Sequence, residues 1–157
     1  MRLLDLLQEN TSFHNWTRFT ENSLDADFQE YKQKEQRKWQ HRAEVIQARW
    51  PLFKDIQEFR QALLSAPIVD VDSLRSVANM TKNRSIEDIK DMVSGYQWPR
   101  DVARIQQGYK QNHQMPLPII LKGRNGMWIM AGNTRQSVAR VMGITPRALL
   151  VDVSNRP

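Results

Sequence analysis

The sequence predicts an α+β fold: a mostly helical N-terminal half, residues 1–65, packed on a small mixed sheet built within residues 66–157, the two making one compact unit. Three observations carry this. From Asp27 to Leu64, apolar residues recur at helical spacing: Phe28, Tyr31, Trp39, Ala43, Ile46, Trp50, Phe53, Ile56, Phe59 and Leu63. Near the C-terminus, two apolar runs of strand length, Leu117–Lys122 and Met127–Ala131, flank Asn125-Gly126, the sequence of a tight hairpin. A helical pattern and a third apolar run, Ala148–Val153, follow.

Leu3, Leu4, Leu6 and Leu7 begin a short amphipathic turn that Asn10-Thr11-Ser12 interrupt. Thr11 or Ser12 is placed to cap a next helix carrying Phe13, Trp16 and Phe19 on one side. Pro51 suits the first turn of a helix and is expected to start one. Ala66-Pro67 ends it, and Asp70 or Asp72 caps a short helix through Leu74 and Val77. Ser85-Ile86-Glu87-Asp88 reads as a capping-box variant, opening a helix to about Ser94 that turns Ile86, Ile89 and Val93 inward and stops at Gly95. Val102, Ile105 and Tyr109 mark another helix, Asp101–Gly108. Asn125 and Gly126 are the positive-φ pair that a type I′ turn requires. After Gly132, the stripe Thr134, Val138, Val141 and Met142 predicts a helix with one buried face, closed by Gly143 as a left-handed cap.

Composition narrows the function classes. Forty per cent apolar content is that of a globular chain. No stretch approaches the roughly 18 apolar residues of a membrane span, and Asp5 interrupts the Leu3–Leu7 run, so no secretory pattern stands at the N-terminus. With no cysteine there are no disulfides, no thiol catalysis and no zinc-thiolate site. These features suit the cytoplasm. A net charge of +6 points to an anionic partner.

The turn Gly132-Asn133-Thr134-Arg135 is the stretch best suited to chemistry. A strand that ends in glycine and opens directly into a helix presents free backbone N–H groups at the positive end of the helix dipole, which is an anion site. Asn133 or Thr134 is placed to cap the helix. Arg135 in the first turn opposes the dipole, so propensity alone does not select it; a guanidinium there forks onto phosphate or carboxylate. The same residues also read as a capped helix with a solvated arginine.

Pro118-Ile119-Ile120-Leu121, the hairpin, and Gly132-Asn133-Thr134-Arg135 followed by Ala139 and Gly143-Ile144 resemble the ParB/sulfiredoxin superfamily. The resemblance covers roughly the last third of the chain. It implies that the Gly-x-x-Arg turn holds nucleotide phosphates (ATP or CTP, with Mg²⁺ an accompanying ion), that the Pro-Ile strand walls the pocket, and that a Pro-Arg segment, here Gln97-Trp98-Pro99-Arg100-Asp101, completes it. It also implies a phage or mobile-element origin, and then a host cytoplasm. Three departures bear on activity. Sulfiredoxins carry a cysteine in the turn, and this chain has none, which excludes that activity. Partition proteins place an acid directly after the glycine where this chain has Asn133, a neutral oxygen. They also continue into a helix-turn-helix domain, so a chain stopping at Pro157 is not expected to be a complete one.

A second anion-binding candidate is the basic stretch around Trp39: Lys34, Arg37, Lys38 and Arg42 beside an indole resemble a phosphate track with a stacking platform for DNA or RNA. It reads equally as a solvated face beside a core tryptophan, with Glu30, Glu35 and Glu44 diluting the charge. For catalysis, Asp101 and Asp152 are the carboxylates expected nearest Gly132, as general base or metal ligand; each is alternatively an N-cap or a strand end. His14, His41 and His113 show no metal-ligand spacing, so no metal cage is read. The expectation is therefore a nucleoside-triphosphate-binding protein, with hydrolysis or phosphoryl transfer open to it. The alternatives are a DNA-binding protein or nuclease and a non-catalytic interaction protein retaining the fold. The sequence admits a homo-oligomer without deciding it.

Overall fold

The computed structural model describes residues 15–34, 36–95 and 100–154. Its frame is a mixed sheet of five strands. They are β2 (Ile68–Asp70), β3 (Val77–Ala78), β5 (Ile119–Gly123), β6 (Gly126–Ala131) and β7 (Arg147–Asp152), in the order β2-β7-β5-β6-β3. The β5–β6 and β2–β7 pairs are antiparallel, and the β5–β7 and β3–β6 pairs are parallel. β5 is central, which explains its continuous apolar run. Ile119 and Leu121 face one core and Ile120 faces another, as a period of two demands of a strand covered on both sides.

Three helices cover the first face: α1 (Glu21–Gln29), α2 (Gln36–Val45) and α3 (Ile56–Ser65). A π-helical turn, Glu30–Lys34, joins the first two. Their buried Phe28, Tyr31, Trp39, Phe53 and Phe59 form one core with Ile119, Leu121, Leu149 and Val151 of the sheet, so the described residues of the two halves share an interior. Aromatic rings meet throughout this layer, with Phe53–Phe59 centroids 4.9 Å apart and Phe28–Phe59 at 5.5 Å. The Tyr31 hydroxyl accepts the N–H groups of Leu52 and Phe53, which satisfies it inside the core. Arg18 donates to the Leu63 and Ala66 carbonyls at the end of α3, a cation at the negative pole of that helix.

A second group, α4 (Ile86–Ser94), α5 (Val102–Lys110) and α6 (Asn133–Val141), packs around Ile89, Val93, Val102, Tyr109, Val138 and Ala139. Ser85 caps α4 through its hydroxyl and Asp101 caps α5 through its carboxylate, as their sequences imply. α6 closes as expected: the Gly143 N–H bonds to the Arg140 carbonyl and the Ile144 N–H to that of Ala139, with Gly143 at φ 76°.

Several local expectations are corrected. Trp16 and Thr17 form not a helix but a short strand, β1, parallel to β4 (Met115–Pro116), with Trp16 edge-on to Tyr109 at 5.6 Å. Its three-residue spacing to Phe19 imitates a helix, but the open edge of β4 recruits the segment as a strand. Pro51 follows a cis peptide bond and starts no helix; α3 begins five residues later, behind the capping carboxylate of Asp55. Asp70 and Asp72 cap nothing: residues Val71–Ser73 make one 3₁₀ turn and Val77 lies in β3. The helical stretch from Asp27 is broken at the π turn and again after Val45. The hairpin turns one residue early, since Gly123 pairs with Gly126 around Arg124-Asn125 and neither of those two has positive φ. The Ile46 carbonyl accepts the Asn125 N–H at 2.9 Å and holds this geometry, which is not type I′. The expectations for Leu3–Phe13 and for Gln97-Trp98-Pro99 lie outside the described residues.

Candidate functional site

At the end of β6 the chain reverses at Gly132 (φ 85°, ψ 17°), the N-cap of α6, and among the described residues no side chain caps that helix. Only glycine fits. A Cβ there would lie 2.7 Å from Pro118 Cα and 2.8 Å from Pro118 Cβ, besides the cost of a left-handed backbone. The turn is thus pressed against the start of β5, with the first N–H groups of α6 uncovered by any side-chain cap.

The residues after Gly132 depart from the capping roles expected of them. The Asn133 amide oxygen does not cap α6. It accepts the Thr81 N–H at 3.0 Å, the Thr81 hydroxyl at 3.3 Å and Gln136 Nε2 at 3.1 Å. That oxygen is committed to holding the loop after β3 and is not available to Mg²⁺. Thr134 is buried and caps nothing either. Gln136 and Ser137, both fully buried, extend the network by donating to the Thr81 carbonyl, and Arg140 links Gln136 Oε1 to Asp72.

Arg135 is not a solvated arginine. Its Nε donates to the Pro116 carbonyl at 3.1 Å, and its own carbonyl accepts the Tyr109 hydroxyl at 2.9 Å. Burial pushes the Tyr109 phenol well above its usual range, so it remains a donor. Arg135 Nη2 is buried without a hydrogen-bond partner, beside the Gly132 turn. The guanidinium is thus held on one side by a carbonyl, with one nitrogen unsatisfied beside a helix N-terminus.

These groups line a cleft of ≈ 590 Å³ between α1, α2 and the β6–α6 turn. Arg135, Arg100, Lys38 and Arg42 converge on it, against the carboxylates Asp27 and Glu30. Four cations against two carboxylates leave an excess of two positive charges. Arg100 meets Glu30 at 3.3 Å. Arg42 lies between two indoles, 4.3 Å from the Trp39 ring and 4.7 Å from Trp128, which fixes its position over the cleft wall. Burial pushes the Asp27 carboxyl up to about 6; Arg135 and Arg100 pull it down and Glu30 pushes it up.

The structure brings some expected site residues together and separates others. Gly132, Asn133, Thr134, Arg135 and Arg100 line the cleft, and so do Lys38, Trp39 and Arg42 from the basic stretch. Trp39 is 2% exposed and covered by Arg42, so no base can stack on it, while Arg37 and Lys38 are solvent-exposed. The Lys34 side chain lies outside the described residues. Asp101 is an exposed N-cap bonding the Arg104 N–H at 2.9 Å, on a separate shallow hollow reached by Arg100. Asp152 stands at the far end of the sheet. Ala131 aligns through Ile119 with Leu149, and Asp152 is three residues beyond, about 10 Å along the strand. There it accepts the Ser154 N–H and hydroxyl, which hold its carboxyl below the usual range.

Of the two carboxylates that line the cleft, Asp27 is one that sequence reasoning passed over. Its one signal was a charge one residue before Phe28 and three after Leu24, the two core residues of α1. Among the described residues no group of three or more His, Asp or Glu side chains gathers as a metal site, and no helix is long and apolar enough to cross a membrane. No protein-family model, curated protein or solved structure matches the chain.

Proposed function

We propose that this chain binds the phosphates of a nucleoside triphosphate, ATP or CTP, at the Gly132 turn, in the manner that its resemblance to the ParB/sulfiredoxin superfamily implies. The observation that carries the reading is the convergence of Arg135, Arg100, Lys38 and Arg42 on an uncapped helix N-terminus. Backbone N–H groups at the Gly132 turn take the equatorial oxygens of one phosphate, and Arg135 is positioned beside it by Pro116 and Tyr109. Arg100 and Lys38 meet the outer charge. The cleft volume falls within the range of small-molecule sites. The DNA or RNA reading loses its stacking platform with Trp39 in the core, and would rest on backbone contacts by exposed cations such as Arg37 and Lys38 alone.

Thermal unfolding with ATP or CTP, with and without Mg²⁺, tests this. At a hundred times Kd a ligand adds about 2.7 kcal/mol, which at about 2–4 °C per kcal/mol raises Tm by about 5–11 °C. The paired substitution Lys38→Gln, Arg100→Gln, on exposed side chains, leaves the unliganded Tm within about 2 °C and removes most of that rise. Absence of any rise in the wild type, with either nucleotide, refutes the reading and favours a non-catalytic interaction protein.

A further inference from the structure

Asp27 stands on the cleft wall among cations. It lies on the inner flank of α1, half-buried, one residue before the fully packed Phe28. The charged groups around it come from several elements: Glu30 from the turn after α1, Arg100 ahead of α5 and Arg135 from α6, with Lys38 and Arg42 of α2 on the same cleft. Glu30 closes an ion pair with Arg100. Asp27 faces Arg100 and Arg135 without closing one with either.

An anion seated at the Gly132 turn lies beside the same two arginines. Two negative groups that share one set of cations in a partly dry cleft repel each other, and one of them is displaced or neutralised. Asp27 cannot move away, because α1 is anchored by Leu24 and Phe28 in the core, at 1% and 4% exposure. Protonation is the remaining route. We infer that Asp27 takes up a proton from solvent when a phosphate-type anion enters the cleft, and that it thereby sets which anions the site accepts. The inference rests on the cleft being the ligand site.

The cost of that proton is small. With the carboxyl at about 6, on the order of a tenth of the molecules already carry it at pH 7. A multiply charged anion, such as a di- or triphosphate, gains enough from Arg135 and Arg100 to draw the proton in. A monoanion such as acetate does not, and is excluded by the ionised carboxylate. No covalent bond changes; one proton passes from water to an Asp27 oxygen.

Isothermal titration of ATP, and separately of sulfate, at pH 7 in two buffers of different ionisation enthalpy reads the proton number directly. Sulfate does not titrate in this range, and comparison with Asp27→Asn removes the nucleotide's own titration. The wild type is expected to take up about half a proton or more beyond Asp27→Asn. Its affinity should fall by up to tenfold per pH unit above 6 relative to that variant, which becomes the tighter binder at pH 8. Glu30→Gln should retain the proton uptake, and Asp27→Ala gives the same readout where the amide disturbs packing. Equal proton numbers and parallel pH profiles in wild type and both Asp27 variants, with binding intact, overturn the role of Asp27 alone. Failure of wild type and variants to bind either probe overturns the cleft as a ligand site, and this inference with it.

Discussion

Replacing Gly132 by alanine tests the geometry on which the cleft depends, and its cost can be worked from two separable terms. The backbone at φ 85° is left-handed, which costs an alanine about 1–2 kcal/mol. The added Cβ would also lie 2.7 Å from Pro118 Cα and 2.9 Å from Arg135 Nη2. Pro118 cannot retreat, since its carbonyl accepts the Leu149 N–H at 2.8 Å at the centre of the sheet. Overpacking of this kind costs about 1–3 kcal/mol. Gly143 supplies the control. It has nearly the same backbone, φ 76°, but nothing within 4 Å of its ideal Cβ, so Gly143→Ala carries the first term alone. Thermal unfolding of the two variants should therefore show Gly132→Ala lower by the steric term, about 2–12 °C at about 2–4 °C per kcal/mol. Gly132→Ala should also lose nucleotide binding, while Gly143→Ala keeps it. Equal destabilisation by the two would refute the close packing of the turn on Pro118.

Asn133→Ala removes the acceptor of the partly buried Thr81 N–H and should cost about 1–3 kcal/mol in urea unfolding; a loss below about 0.5 kcal/mol would show that the loop after β3 is held by other interactions. Asp27 carries a sign-defined pH effect. Its folded value of about 6 lies above the ordinary 3.8, so its stabilising contribution is present below pH 3.8 and lost as pH rises to 6. The stability of Asp27→Asn relative to wild type should accordingly grow across that window, by on the order of 1 kcal/mol once solvent screening of a half-exposed group is discounted, and the opposite slope in paired denaturation curves would contradict its burial. Asp152→Asn, about 10 Å along the strand direction from the level of the turn and two strands across, should leave nucleotide affinity unchanged; a large loss on titration would mean the site lies elsewhere. Charge reversal of the exposed Arg37 and Lys38 should lower the salt slope of any DNA or RNA binding by about one for each phosphate no longer neutralised, and an unaltered slope in filter binding would remove α2 from that interface.

Much of the C-terminal third was legible because its signals are local. A strand length, a glycine that must be left-handed and a helical stripe are properties of neighbouring residues, so β5, β6, α6 and the cap at Gly143 fall where their residues place them. The N-terminal strand β1 was not legible, since Trp16 pairs with Met115 across nearly a hundred positions and its own spacing imitates a helix. The same reason explains Asp27. One acid among the three on α1 reads as solvated like the others until the helix is docked against Arg100 and Arg135, both distant in sequence.

By itself the sequence determined an α+β class, helix caps at Ser85 and Asp101, and the glycine turn that opens α6. Each rests on backbone sterics or hydrogen bonds spanning a few residues. Only the tertiary structure decided which charges share the cleft. It placed Arg42 and the exposed Lys38 on the cleft beside the turn, buried Trp39, set Asp152 at the far end of the sheet and brought Asp27 to the site. Electrostatic and burial energies depend on distances between elements, and those distances exist only once the shared core of helices and sheet has packed.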